Sequence, residues 1–263
     1  INNIIIVLGE PQSTFVEILF KYFKSKKFKK FNKKIILIGS KDLIYYQMKK
    51  FKYKFNLNII NEISFAKNKI VNIIDVKFVK KFKFGDISSG SVNYINKCFS
   101  IAFDILKKNK QVSLFNGPVS KNHFLKKKYL GVTEYIAKQF KIEDQVMLIY
   151  NNKISVSPIT THLPIKDVPR KINKRKIISN ALKINNFYKY NFNKIPNMAV
   201  LGLNPHCESI HSSSEEKKEI IPAIRYLNKK KLNIYGPFSA DTFFLEKNIK
   251  IYDVVIGMYH DQV

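Results

Sequence analysis

Three of the chain's five histidines close apolar, strand-like runs. The runs are ISVSPITTH ending at His162, NMAVLGLNPH ending at His206 and YDVVIGMYH ending at His260. In an open α/β sheet the carboxyl ends of the strands share one edge, and ligands bind in the crevice outside it. Strand-terminal imidazoles can therefore converge although they lie far apart in the chain. Three neutral imidazoles around one point suit a divalent metal ion with a position left for substrate. Each histidine has fitting company: Thr160 and Thr161 before the first, Asn204 before the second, Asp261 after the third. One histidine at a strand end is more often just a satisfied polar residue, but three with such neighbours outweigh that reading.

Those histidines need a scaffold of strands, and hydrophobic periodicity supplies one. Residues 3–9 read as a strand, 13–23 as a helix, 34–38 as a strand and 41–51 as a helix. This alternation implies parallel pairing in a layered α/β fold. Residues 58–84 read as short strands, VNIIDV the clearest, and 85–90 as a turn. Ile95, Phe99, Ala102, Ile105 and Leu106 recur at helical spacing, which predicts a long amphipathic helix over 91–108. The strand VSLFNG then delivers NGPVSK (116–121), and a short helix is expected over 133–140. QVMLIYNN and KISVSPITTH suggest a strand pair turned at Asn151 and Asn152. Residues 168–190 read as mostly helical and 197–203 as a strand. Ser213, with Glu216 three residues on, has the spacing of a capping box opening a helix to Lys230. The last strand is expected over 253–258. With no internal repeat and no Pro/Ser-rich linker, residues 1–263 are expected to form one domain.

A chain of 263 residues that is 45% hydrophobic can bury a sizeable core and is not a disordered one. No run approaches the ~20 apolar residues that cross a bilayer. The stretch from Ile4 to Leu8 is too short for a signal-peptide core, lacks a basic leader, and reads as a first buried strand. Cys98 and Cys207 make no disulfide framework, so a cytoplasmic setting is expected. The net charge of +28 suggests a polyanionic partner. Yet only Arg170, Arg175 and Arg225 are arginine among 47 basic residues, and arginine is the preferred reader of phosphates and bases. The excess of Lys, Asn, Ile, Phe and Tyr, with no Trp, reads as compositional drift. The run FKSKKFKKFNKK (23–34) is expected to be a solvated helix end and loop. No specific nucleic acid and no membrane is therefore expected as partner, only weak, salt-sensitive polyanion binding. The chain starts without Met and stops directly after the third histidine motif, so a piece short at its C-terminus is expected.

Five segments fit together in order: NGPVSK (116–121), GVTEY (131–135), TTHLPIKDVP (160–169), LGLNPH (201–206) with GPFSADTFF (236–244), and YDVVIGMYHDQ (252–262). Together they closely resemble the 4-hydroxythreonine-4-phosphate dehydrogenase family of the pyridoxal 5′-phosphate pathway, most strongly from Asn116 onward. The resemblance implies an isocitrate/isopropylmalate-dehydrogenase-like fold. Its sheet would be mixed but largely parallel, with two intertwined lobes around an active-site cleft. It implies a homodimer whose metal, Zn, Mg or Co, is shared between subunits and held at His162, His206 and His260. It implies NAD- or NADP-dependent oxidation of 4-phosphohydroxy-L-threonine to a 3-oxo acid, which decarboxylates to 3-amino-2-oxopropyl phosphate. Thr133 matches the family's substrate-contacting threonine.

The residues agree with such chemistry. A divalent ion lowers the pKa of an alcohol and stabilises an enolate. Asp241 and Asp261 could orient a histidine or move a proton. Lys121, after Gly-Pro-Val-Ser, could meet a phosphate as a point charge. Four departures matter. Val132 stands where the family has a substrate-contacting histidine, and valine makes no hydrogen bond. The N-terminal family pattern survives only as Gly9-Glu10-Pro11 and Glu17, with Ser13 and Phe15 replacing glycines. Cys207-Glu208-Ser209 follows His206 in place of Ala-Gly-Glu, with one residue deleted before His211. The family's later lysine, asparagine and arginine contacts have no counterpart in this chain. A paralogue oxidising 4-phospho-threonate, 4-phospho-erythronate or a dihydrodiol acid is the nearest alternative. An inactive fragment or a non-catalytic polyanion-binding protein is the more distant one.

Overall fold

The computed structural model describes residues 3–79, 85, 87–126, 128–129, 131–207 and 213–263. The chain divides into two compact units, Ile1–Phe140 and Lys141–Val263.

In the first unit the strands are β1 (Asn3–Val7), β2 (Lys34–Gly39), β3 (Leu57–Ile59), β4 (Val71–Asp75) and β5 (Val112–Asn116). They form one sheet in the order β3-β4-β2-β1-β5, and every ladder is parallel. The helices are α1 (Phe15–Lys24), α2 (Lys26–Lys30), α3 (Lys41–Lys50), α4 (Val92–Lys108) and α5 (Val132–Gln139). The unbroken apolar run of β1 is explained by burial on both faces, the usual state of an inner parallel strand. Ile5 and Val7 pack with Ile95, Cys98, Phe99 and Ala102 of α4. Ile6 and Leu8 pack with Val16, Leu19 and Phe20 of α1 and Ile44 of α3. Burial pushes the Cys98 thiol up to about 12, which makes it an inert core side chain.

The lysine-rich run corrects the sequence reading: part of it is the helix α2, not only helix end and loop. Ser25 Oγ accepts from Phe28 N at 3.3 Å, and Phe28 is buried among aromatic rings while the lysines around it stay exposed. One apolar anchor and one cap suffice for a single short helix. The strands expected over 58–84 reduce to β3 and β4, with residues 80–84 outside the described ones.

Asn72 of β4 is fully buried and closes the β3–β4 connection. Its Oδ1 accepts from Lys67 N and Asn58 Nδ2, both at 2.8 Å. Its Nδ2 donates to Ile35 O, Lys67 O and Ile70 O at 2.9–3.1 Å. Asn72→Ala leaves buried main-chain groups unpaired, and should destabilise the protein by about 2–3 kcal/mol. Urea denaturation checks this; an unchanged midpoint would show that water replaces the amide without loss.

In the second unit the strands are β6 (Ser155–Thr160), β7 (Met198–Leu201), β8 (Ile234–Phe238) and β9 (Val254–Tyr259), in the order β6-β9-β7-β8. These ladders too are parallel. The helices are α6 (Val168–Lys171), α7 (Lys174–Phe192), α8 (Ile221–Lys229), α9 (Ala240–Phe243) and α10 (Glu246–Ile249). Met198, Val200, Val254 and Ile256 face Ile177 and Ala181 of α7 and Ala223 and Leu227 of α8. Ala199, Leu201 and Val255 face Phe243 on the opposite side. The helix expected over 168–190 is broken at residues 172–173, where Asn173 Oδ1 caps α7 by accepting from Lys176 N at 2.9 Å.

The layered α/β class with largely parallel pairing holds, with the strands divided between two sheets. The expected strand pair turned at Asn151 and Asn152 shrinks to one antiparallel bridge, Ile149 to Val156. β6 instead takes β9 as its ladder partner. Among the described residues no helix is long and apolar enough to cross a membrane.

Candidate active site

Strand order decides where the candidate residues fall. His162 follows β6, His260 follows β9, His206 follows β7 and Asp241 follows β8. Because the four strands are parallel, the carboxyl edge presents these residues in the order His162, His260, His206, Asp241. The His162 and His260 rings lie 6.2 Å apart between centroids, with planes inclined by 26°. A cavity of about 160 Å³ opens there, lined by Thr160, His162, Leu163, Tyr259, His260 and Asp261.

Each of the other two candidates stands beside a histidine, Asp261 in hydrogen-bond contact and Asp241 at ion-pair distance. Asp261 Oδ1 is 2.9 Å from His260 Nδ1. Asp241 Oδ2 is 3.3 Å from His206 Nδ1. A carboxylate on one ring nitrogen fixes the tautomer and leaves Nε2 free for a ligand. Ser239 Oγ donates to Asp241 Oδ1 at 2.6 Å. That bond, with the neighbouring His206 adding to it, holds the Asp241 carboxyl below the usual carboxylate range.

Two of the three histidines also have unusual backbone, a conformation shared with several lysines and an asparagine elsewhere in the chain. His162 (φ 55°), His206 (φ 56°) and Cys207 (φ 55°) are left-handed without being glycine. Such residues cost on the order of 1–3 kcal/mol each and persist where the surroundings over-determine them, commonly at functional sites. The surroundings here are specific. Thr160 Oγ1 donates to Met258 O at 2.7 Å, tying β6 to the end of β9. Gln262 accepts from Met258 N at 2.7 Å and donates to Gly202 O at 2.6 Å, tying the His260 turn to the His206 turn.

Glu216 differs most from the sequence reading. The capping oxygen is Ser214 Oγ, which accepts from Lys217 N at 3.4 Å, and not Ser213. Glu216 itself is wholly buried and accepts from Leu203 N, Asn204 N and Asn204 Nδ2 at 2.8–2.9 Å. Burial alone would raise its carboxyl, but the bonds from Asn204 and Leu203 outweigh this and hold it below the usual range. A Ser-x-x-Glu spacing cannot tell a cap from a buried acceptor. Gln262 was legible only as part of HDQ.

His162 and His260 come together; His206 pairs with Asp241. Among the described residues no three His, Cys, Asp or Glu gather closely enough within one chain to hold a metal ion. The remaining candidates lie in the first unit. Lys121 is exposed on the turn after β5, and Thr133 is exposed in the first turn of α5. Val132 is half-buried against the cluster containing Phe99 and Phe124, so its apolar side chain has a packing role. The deletion before His211 lies outside the described residues.

Polar and ionisable groups along the carboxyl edge of a parallel sheet mark the place where a layered α/β protein binds its ligands. A crystal structure of a 4-hydroxythreonine-4-phosphate dehydrogenase from Burkholderia phymatum overlays all of this chain and 81% of its own, with a TM-score of 0.83 at 24% identity, which shows a common fold. The 4-hydroxythreonine-4-phosphate dehydrogenase of Sulfurihydrogenibium sp. (strain YO3AOP1) is 34% identical over 98% of this chain and 80% of its own length. That of Aquifex aeolicus (strain VF5) is 32% identical over 98% and 79%. The chain belongs to the family of the pyridoxal phosphate biosynthetic protein PdxA, whose model matches residues 31–263.

Proposed function

We propose that the chain oxidises 4-phosphohydroxy-L-threonine with NAD or NADP and a divalent metal ion, and that it works as a homodimer. The secondary alcohol gives up a hydride and its hydroxyl proton; the resulting 3-oxo acid loses carbon dioxide and takes up a proton, giving 3-amino-2-oxopropyl phosphate. The observation that carries this reading is the row of histidines at one sheet edge, two of them held in left-handed backbone.

The donor set fits a metal in part. His162 and His260 offer two imidazoles from adjacent strands, and Asp261 on Nδ1 turns His260 Nε2 outward. Completing the set from a second copy supplies the third imidazole, in keeping with the shared metal that family resemblance implies. The ion, when bound, would polarise the alcohol oxygen and steady the charge left by decarboxylation. The nicotinamide would accept the hydride. Asp241 stands 3.3 Å from His206 Nδ1, close enough to interact with it by charge. Lys121 and Thr133 are proposed substrate contacts, the lysine as a point charge for phosphate.

The test is cofactor reduction by purified chain given 4-phosphohydroxy-L-threonine, NAD⁺ or NADP⁺ and Zn²⁺, Mg²⁺ or Co²⁺, with a chelator control. Chelator-sensitive turnover of this substrate, faster than of 4-phospho-erythronate, is expected. Faster turnover of the erythronate would move the chain to the paralogous reaction, and chelator-resistant turnover would remove the metal.

A further inference from the structure

We propose that Glu216 is a positioning residue, whose carboxylate holds the turn that aims His206. This rests on the reading of His206 as a site residue. When β7 ends at Leu201, the next main-chain donor, Gly202 N, still finds Phe238 O at 2.9 Å. The two after it have left the ladder. Both Leu203 N and Asn204 N turn to Glu216 Oε1, at 2.9 and 2.8 Å. Glu216 Oε2 takes Asn204 Nδ2 at 2.8 Å. One buried side chain thus fixes two consecutive peptide units and the side chain of the second.

Two residues further on, the chain enters left-handed backbone at His206 and Cys207, closed by Cys207 N donating to Asn204 O at 3.2 Å. Neither residue has the conformational freedom of glycine, so this turn stays in place only if its entrance is fixed. The single intervening residue is Pro205, whose ring fixes its own φ. The imidazole that emerges reaches Asp241.

Glu216 has no other evident task. Among the described residues no cation forms an ion pair with it. An unpaired buried carboxylate is costly unless hydrogen bonds satisfy it, and all three of its bonds go to one turn. The segment that carries it, Glu216–Ile220, is a π-helical turn. Such turns are rare and recur at functional sites.

The test uses the full chain, with Co²⁺ alone as titrant, and compares wild type, Glu216→Gln, Glu216→Leu and His206→Ala. Glutamine keeps one acceptor oxygen of the two; leucine keeps none. Metal affinity should fall about 10–100-fold in Glu216→Leu, as for loss of an outer-shell partner, and by less in Glu216→Gln. The thermal midpoint of Glu216→Gln should stay near that of wild type. A metal affinity within twofold of wild type in every Glu216 variant that folds, while His206→Ala loses affinity, overturns the proposal. If leucine prevents folding, the glutamine variant alone decides. Amide hydrogen exchange separates this proposal from the metal reading. The amides of Leu203 and Asn204 should lose protection in Glu216→Leu, and less in Glu216→Gln, while β7 and β9 keep theirs, whether or not wild type binds Co²⁺. Unchanged exchange there overturns the role of Glu216, whereas wild type that binds no Co²⁺ counts against the metal alone.

Discussion

His260→Ala should remove turnover while leaving the fold in place. The side chain is half exposed, so its loss opens no core cavity, and β9 beneath it is held by its own buried residues. What is lost is one of the two imidazoles that stand 6.2 Å apart at the edge of the sheet. Asp261→Asn is the instructive companion. It removes the charge beside His260 Nδ1 but keeps an acceptor oxygen at that place. Changes of this outer kind cost roughly 10–100-fold. Loss of the imidazole itself should exceed that range in kcat/KM, and added metal should not restore it. Steady-state kinetics with circular dichroism on the same samples would measure both. Activity within tenfold of wild type in a folded His260→Ala protein would take His260 out of the site.

The parts of this molecule that were legible in its sequence are those set by periodicity. β1 reads as a strand because Ile5 and Val7 serve one layer while Ile6 and Leu8 serve the other. The histidines were legible because each ends such a run, and parallel pairing then brings the strand ends to one edge. Asp241 was legible as a partner for a histidine, and it stands beside His206. What sequence could not show depends on which neighbour a group meets. Glu216 has the spacing of a capping box, yet Ser214 caps and Glu216 points inward. Gln262 crosses from one turn to another sixty positions away, a link that no local pattern encodes. The lysine-rich run looked solvated because the buried Phe23 and Phe28 cannot outvote their neighbours in a hydropathy window. The division of the nine strands among the described residues into two sheets is likewise a matter of long-range pairing, to which local alternation is blind.

The second large effect concerns the first unit, where the turns after β1 and β5 meet main chain to main chain. Gly117 N donates to Val7 O at 2.8 Å, and Glu10 N donates to Pro118 O at 2.7 Å. A Cβ on Gly117 would stand 2.2 Å from Leu8 O and 2.6 Å from Phe15 Cδ1. A phenyl ring can turn aside, but the carbonyl belongs to the buried main chain that directly follows β1 and cannot. Gly117→Ala therefore has to separate the two turns and break both bonds. The expected loss is about 3–5 kcal/mol, at the upper end of single substitutions and enough to unfold a marginal protein. Gly85→Ala supplies the control. Gly85 has a φ of 78°, and among the described residues a Cβ there meets nothing within 4 Å. Its cost should be confined to the left-handed backbone, about 1–2 kcal/mol. Urea midpoints of the two variants separate steric exclusion from conformational preference. Equal losses would show that the turns part easily and that Gly117 is not what holds them together. A much larger loss at Gly117 would mean that NGPVSK, with Lys121 at its end, is positioned by contact between backbones that only glycine permits.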